Sequence, residues 1–277
     1  MAQCHTFRMS LLQKSFHPFR RNYNTLEVSI VNKIKLIKFN RIDKKNAMSK
    51  EMYREISNEM LASTIDSDIR AILFTGLGDF YSAGNDISNF QIALKSNAKA
   101  GNYDDLRQFV DAFIDFPKPI ISAVNGPAIG IAVTTLGLCD RVFASTSSYF
   151  MTPFAALGLT PEGCSTYTFP KLMGESLTHE VLYNNYKLTA EEALACQLVH
   201  ELYPPDALLS AAMSYCTHLE SQSHQSILNN RYIIRHNLQE KLKAVNQKEC
   251  HELDRRLNEE TYRQILINYL NNLGKKR

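Results

Sequence analysis

Between Pro119 and Cys139 the chain runs for 21 residues without a single charged side chain. That is the length of a bilayer-spanning helix, so this run decides whether the chain is embedded or folds around its own core. Its middle answers the question. After the strand-like Ile120-Ile121-Ser122-Ala123-Val124 come Asn125-Gly126-Pro127 and then Gly130. Glycine and proline in close succession mark turns. The run reads as a buried strand, a tight turn and a buried helix, and no membrane span is expected.

The same theme recurs on either side. Leu26–Ile30 and Ile34–Phe39 read as strands of a hairpin around Val31-Asn32-Lys33, with apolar residues near every second position. A helix is predicted over Ser49–Ser63, where Met52, Ile56 and Met60 share a face. Ala71–Thr75 is a short apolar strand, followed by a loop from Gly76 to Asp86 and a helix carrying Leu106, Val110 and Phe113. Val142-Phe143-Ala144 and Leu198–Leu202 read as further strands, and Thr189-Ala190-Glu191-Glu192 as a capping box that opens a helix. Strands alternating with helices indicate an α/β class. From Pro205 the pattern is helical: Leu208, Ala212, Tyr215 and Leu219 line one face, and Leu253, Leu257, Tyr262, Ile265 and Leu266 follow. The expected organisation is an α/β core over 25–205 and a helical region over 206–277. No Pro/Gly-rich linker separates the two, so they are expected to pack together.

Charge singles out the N-terminus. The first 26 residues hold no Asp or Glu but carry Arg8, Lys14, Arg20 and Arg21. Such composition marks an organelle import presequence, here residues 1–24, with a ragged cytosolic terminus as the alternative. Subtracting these four from the 31 Lys+Arg leaves 27 against 28 Asp+Glu, so the mild basicity belongs to the address and the body is nearly neutral. Six scattered cysteines without a C-x-x-C pair read as reduced, mostly buried thiols. No spacing supports a metal site.

Three segments carry residues suited to chemistry. Phe80–Asp86 follows a strand, and its small residues let a ligand approach backbone N–H groups that can hold an oxyanion; a capped strand-to-helix turn is the plainer alternative. Asn125–Ile131 enters an apolar helix, whose first N–H groups are unpaired. It is neither a Walker loop nor a dinucleotide fingerprint, and close packing alone would also explain it. In Gly158–Thr166, Glu162 stands among apolar and small residues. A carboxylate in such surroundings has its pKa raised, which suits proton transfer near neutral pH; the alternative is a carboxylate serving helix N–H groups.

Taken in order, these segments resemble the crotonase (enoyl-CoA hydratase/isomerase) superfamily, and within it the Δ3,Δ2-enoyl-CoA isomerases of the peroxisomal/mitochondrial type. The resemblance runs from about residue 25 to the C-terminus. It rests on Asn40-Arg41 with Lys44-Lys45-Asn46-Ala47, on Ser82-Ala83-Gly84-Asn85-Asp86, and on Asn125-Gly126-Pro127-Ala128-Ile129-Gly130. Thr152-Pro153-Phe154, Pro161-Glu162-Gly163-Cys164-Ser165 and Lys187-Leu188-Thr189-Ala190 complete the series. It implies a spiral of repeated ββα units with a C-terminal helical region used in trimer formation, as a homotrimer or a dimer of trimers.

The resemblance also assigns roles. Glu162 is the catalytic acid/base, and the backbone N–H groups of Asn85 and Ile131 form the oxyanion hole. Ser82, Ala83, Gly84, Asp86 and Gly130 lie along the CoA path, with Lys44 or Lys45 facing the CoA phosphates. The two glutamates used by family hydratases fall on Thr134 and Phe154, neither of which is a carboxylate. The implied reaction converts a 3-enoyl-CoA to a trans-2-enoyl-CoA in the oxidation of unsaturated fatty acids. The substrate is an acyl-CoA, coenzyme A being part of it, with no separate cofactor and no nucleic-acid partner. The location is mitochondrial, with peroxisomal as the alternative. The rival readings are another crotonase reaction (dienoyl-CoA isomerisation or thioester hydrolysis) and a non-catalytic CoA-binding module like the chromodomain-linked relatives, which carry a shorter acid at the glutamate.

Overall fold

A sheet covered on both faces needs apolar side chains at successive positions rather than alternate ones, and the central strands of this chain have them. The computed structural model describes residues 21–89, 104–261, 264, 265, 267 and 268. Its larger sheet has seven strands: β1 (Arg21–Asn22), β2 (Leu26–Val31), β3 (Ile34–Phe39), β4 (Ala71–Gly76), β5 (Ile120–Val124), β7 (Arg141–Ser145) and β10 (Glu201–Tyr203), in that spatial order. The first three are antiparallel and the rest parallel. Asn32 and Lys33 both take positive φ in the β2–β3 turn, as a two-residue hairpin requires.

Neighbouring side chains on these strands serve different layers. Ile34, Leu36, Leu73, Ile121, Ala123 and Phe143 pack against Leu208, Ala212 and Cys216 of α6 (Pro205–Ser221). Ile37, Ile72, Phe74, Ile120, Val124 and Val142 face the other layer. There they meet Met52, Ile56 and Met60 of α1 (Lys50–Ile65) and Phe109, Val110 and Phe113 of α2 (Asp104–Asp115). Ser49 caps α1 by accepting from the Met52 N–H.

A second sheet is the main feature the sequence did not reveal. Its strands β6 (Ala128–Ile129), β8 (Tyr149–Met151) and β9 (Leu188–Thr189) are two or three residues long, too short to show a period. Between β6 and β8 lies α3 (Ile131–Thr134), shorter than the buried helix expected there, and continued as a 3-10 turn to Leu138. The strand expected at 198–202 also needs correcting: β10 starts at Glu201. Leu198 and Val199 are buried ahead of it, and the Val199 N–H donates to Ala193 O, closing the end of α5 (Ala190–Ala195) instead of entering the ladder. The capping box at the start of α5 is formed by Thr189 and Glu192.

The C-terminal helices pack on the core. Besides α6, α7 (His224–Leu257) lies along α2, where the Asn246 amide donates to Arg107 O and to Asp111 Oδ1, and along α4 (Ser165–Tyr183). The stretch expected as a presequence lies outside the described residues up to residue 20. The folded body begins slightly before residue 25, since β1 pairs with β2, Asn24 donates to Glu51 of α1 and the Tyr23 hydroxyl to Glu59. No described helix is long and apolar enough to cross a membrane. The described cysteines, 139, 164, 196, 216 and 250, are all free.

Candidate active site

The loops after β3, β4 and β5 converge at one end of the large sheet. Asn46, fully buried, ties the first two together: it accepts from the Arg41 N–H at 2.9 Å and donates to Leu77 O and Phe80 O. Ser82 is equally buried, its hydroxyl donating to Asn46 O at 2.8 Å and accepting from the Gly84 N–H at 3.1 Å. Asp86 pairs with Arg41 at 2.7 Å and accepts from the Ser88 N–H and hydroxyl. Burial raises the Asp86 carboxyl, but the hydrogen bonds from Ser88 and Arg41 outweigh it and hold the group below its ordinary range. Ser82 and Asp86 therefore spend their side chains on the shape of the loop.

That shape places two backbone donors side by side. Gly84 has φ +80°, and a Cβ there would lie 2.5 Å from Ile129 O and 3.7 Å from Gly130 Cα. The Gly84–Asn85 peptide thus rests directly on Ile129-Gly130. Parallel bridges Met48↔Asn85 and Ser82↔Ala128 hold the loop from both sides, and Gly130 is anchored to β8 by donating to Met151 O at 2.8 Å. Among the described residues, neither the Asn85 nor the Ile131 backbone N–H has an acceptor.

Glu162 arrives from the other side. The chain leaves β8, makes a 3-10 turn over Ala155–Leu157, and enters α4 through Gly163 and Cys164, both left-handed at φ 68° and 63°. A Cβ on Gly163 would lie 2.2 Å from Thr134 Oγ1 and 3.1 Å from Ile131 Cδ1. The absence of a side chain at 163 is what lets the Glu162 turn dock on α3, whose first residue is Ile131. The structure thus sets the turn bearing Glu162 against Thr134 and Ile131, and the loop bearing Asn85 against Ile129 and Gly130. Glu162 is only 5% exposed, and its carboxylate accepts no hydrogen bond from any described residue. Burial, reinforced by the charge of Glu249, pushes it up to about 8. Such a group is an ionisable base at physiological pH that the protein does not consume elsewhere.

The remaining expected residues lie around this centre. Ala83 donates to Lys45 O at 2.8 Å, which sets Lys45 beside the 82–86 loop, and the exposed Lys45 ammonium lies 4.8 Å over the Phe80 ring. Lys44 is exposed at the end of the 3-10 turn Ile42–Lys44. Thr134 is fully buried, and Phe154 is nearly so, in the same apolar cluster as Ile131 and Cys164. No described group of three or more His, Cys, Asp or Glu is arranged to hold a metal ion. One residue escaped sequence reasoning: Glu249, a buried carboxylate of α7. The available signal was the row Asn246, Glu249, Cys250 and Leu253, which puts polar side chains on the buried face of a helix otherwise rich in charge.

The family model for enoyl-CoA hydratase/isomerase matches residues 29–275. The chain is 42% identical to human enoyl-CoA delta isomerase 2 over 257 residues, 91% of this chain and 65% of that protein. It therefore spans just under two thirds of that relative's length. It is 41% identical to mouse enoyl-CoA delta isomerase 3, peroxisomal, over 84% of this chain and 74% of that one. The crystal structure of an enoyl-CoA hydratase/isomerase from Pseudoalteromonas atlantica T6c superposes with a TM-score of 0.83 at 29% identity, covering 90% of this chain and 97% of the other. Sequence and fold agree over almost the whole described body: this chain belongs to the enoyl-CoA hydratase/isomerase family.

Proposed function

We propose that the chain is a Δ3,Δ2-enoyl-CoA isomerase in which Glu162 moves the proton and the Asn85 and Ile131 N–H groups hold the thioester oxygen. The observation that carries this reading is the placement of Glu162: a buried carboxylate that accepts no hydrogen bond from the described residues, on a turn docked against Ile131, whose backbone N–H, like that of Asn85, has no acceptor among them. The α-proton of a thioester is weakly acidic, and its removal places negative charge on the thioester oxygen. Glu162 takes the C2 proton of the 3-enoyl-CoA. The electron pair of the broken C–H bond forms a dienolate, stabilised at oxygen by the two preorganised donors. The carboxylic acid then returns a proton at C4, leaving the double bond between C2 and C3. The cycle is redox-neutral, and coenzyme A enters only as part of the substrate.

Hydration would require a second carboxylate to activate water. At position 134 a short threonine is packed against Gly163 of the turn that carries Glu162, and no carboxylate stands there. This favours isomerisation over hydration. The names of the human and mouse relatives support the same choice. The reading includes assembly as a homotrimer or a dimer of trimers, supported by Tyr232, Ile233 and Ile234, which α7 leaves 61–70% exposed in a row. It also includes an organelle location, mitochondrial or peroxisomal, supported by the acid-free N-terminus and by the mouse relative's name.

The test is a spectroscopic assay of the purified protein on 3-enoyl-CoA thioesters beside Glu162→Gln. General acid–base loss costs about 10²–10⁴-fold, and that fall in kcat is expected. A fully active Glu162→Gln would refute the mechanism, and strong hydration of 2-enoyl-CoA by the wild type would refute the choice of reaction.

A further inference from the structure

Glu249 belongs to a helix that begins at His224, 60 residues after Cys164 of the catalytic turn, yet its carboxylate is built into that turn. Oε2 accepts from the Cys164 N–H at 2.7 Å; Oε1 accepts from the Thr166 N–H at 3.0 Å and the Thr166 hydroxyl at 2.6 Å. The first N–H groups of a helix have no partner inside it, and Cys164, the residue that opens α4, supplies no side-chain cap. Glu249 caps α4 from another helix. The turn bearing Glu162 is consequently pinned at two points, by Thr134 beneath Gly163 and by Glu249 on Cys164.

We infer that Glu249 is a positioning residue for the proton transfer: it fixes the Glu162–Cys164 turn and, by its charge, makes Glu162 the member of the pair that gains and loses the proton. This rests on the reading of Glu162 as the acid/base. Two carboxylates sharing a poorly solvated region cannot both ionise freely. Glu249 has three donors to its charged form and Glu162 has none from described residues, so the retained negative charge rests on Glu249. Burial raises both groups, and the charge of Glu249 raises Glu162 further.

Among the described residues, the other groups facing the pair do not supply a competing countercharge. Cys164 and Cys250 are thiols pushed up by burial and therefore neutral, and Asp111 on α2 and Asp254 on α7 are themselves acidic. Lys241, Lys248, Glu252, Arg255 and Arg256 line the cleft outside Glu249. Arg255 is held by Glu252 and Glu259 and Arg256 by Glu259, while Lys241 and Lys248 are exposed to solvent.

The experiment is the pH dependence of kcat/KM on a 3-enoyl-CoA for the wild type, Glu249→Gln, Thr166→Val and Glu162→Gln, with thermal unfolding of each. Glu249→Gln removes the charge, so the acid limb should move to lower pH by about one unit, with a reduced kcat at the plateau. A wild-type limb in a folded Glu249→Gln overturns the inference, whatever its kcat, because a merely structural cap would not set the limb. If Glu249→Gln does not fold, Thr166→Val decides. Thr166 is exposed, and losing its hydroxyl makes Glu249 compete for the proton. The limb should then move the same way by a smaller step, and an unmoved limb overturns the inference. Full activity in Glu162→Gln would refute the underlying mechanism, and this outcome is separate from any behaviour of Glu249→Gln.

Discussion

Replacing Gly84 by alanine tests the oxyanion arrangement at its tightest contact. The new Cβ would lie 2.5 Å from Ile129 O and 3.1 Å from Ile129 C, both backbone atoms, at a residue with φ +80°. Left-handed backbone costs an L-residue about 1–2 kcal/mol. The steric overlap cannot be relieved by a rotamer change. Ile129 is held by its own N–H on Ser82 O at 3.0 Å and by the β6–β8 pairing, so the Gly84–Asn85 peptide must retreat. Loss of one oxyanion donor costs about 10²–10³ in kcat, or about 3–4 kcal/mol of transition-state stabilisation. A displacement of about 1 Å is enough to incur a cost of that order. Gly130→Ala is the comparison. Its backbone at φ +56° and ψ −123° also disfavours an L-residue, but a Cβ there meets nothing within 4 Å among the described residues. Isomerase turnover and thermal unfolding are measured for both. Both variants should unfold earlier, with a much larger fall in kcat for Gly84→Ala. A Gly84→Ala enzyme that loses stability but keeps wild-type kcat would refute the assignment of Asn85 as a donor.

Three further outcomes follow from the ionisable groups. Glu162 must be a carboxylate to take the C2 proton, so with its proton held up to about 8 the wild-type kcat/KM should rise with pH and level off above that value; a profile already flat from pH 6 would contradict this. A carboxyl raised from 4.5 in the unfolded chain binds more protons when folded, so its contribution to stability is full below about 4.5 and declines as pH rises through 8. Glu162→Gln should flatten that decline in unfolding measurements. Asp86 has the opposite sign: its folded value is depressed below 3.8, so its stabilisation is present above that value and is lost as pH falls through the folded one. Arg41→Ala, which removes the 2.7 Å contact to Asp86, should cost about 1 kcal/mol at pH 7 and less at pH 3, read from unfolding midpoints.

The central strands of the large sheet, β2 to β5 and β7, were legible because each is a run whose composition admits little else. Ala71–Thr75 and Ile120–Val124 are buried throughout, as continuous apolar stretches between turns should be. The hairpin of β2 and β3 and the capping box at Thr189 carry their signals within a few residues. The β6–β8–β9 sheet was not legible, since its strands are shorter than two periods of alternation. At 198–202 apolarity alone could not separate a strand from a buried helix end.

The sequence by itself determined the layer architecture, the family and the identity of the one glutamate placed among small and apolar residues. These are local properties, written in periodicity, turn residues and ordered motifs. Only the tertiary structure decided that Ser82 and Asp86 brace their own loop, and that Gly84 and Gly163 bring three loops into contact by lacking a Cβ. The same holds for the carboxylate of α7 that caps the catalytic turn. These depend on contacts between residues 29 to 85 positions apart, from Thr134 and Gly163 to Cys164 and Glu249. Which distant group meets a given N–H or carboxylate is settled by how the helices and loops pack, and no local pattern encodes it.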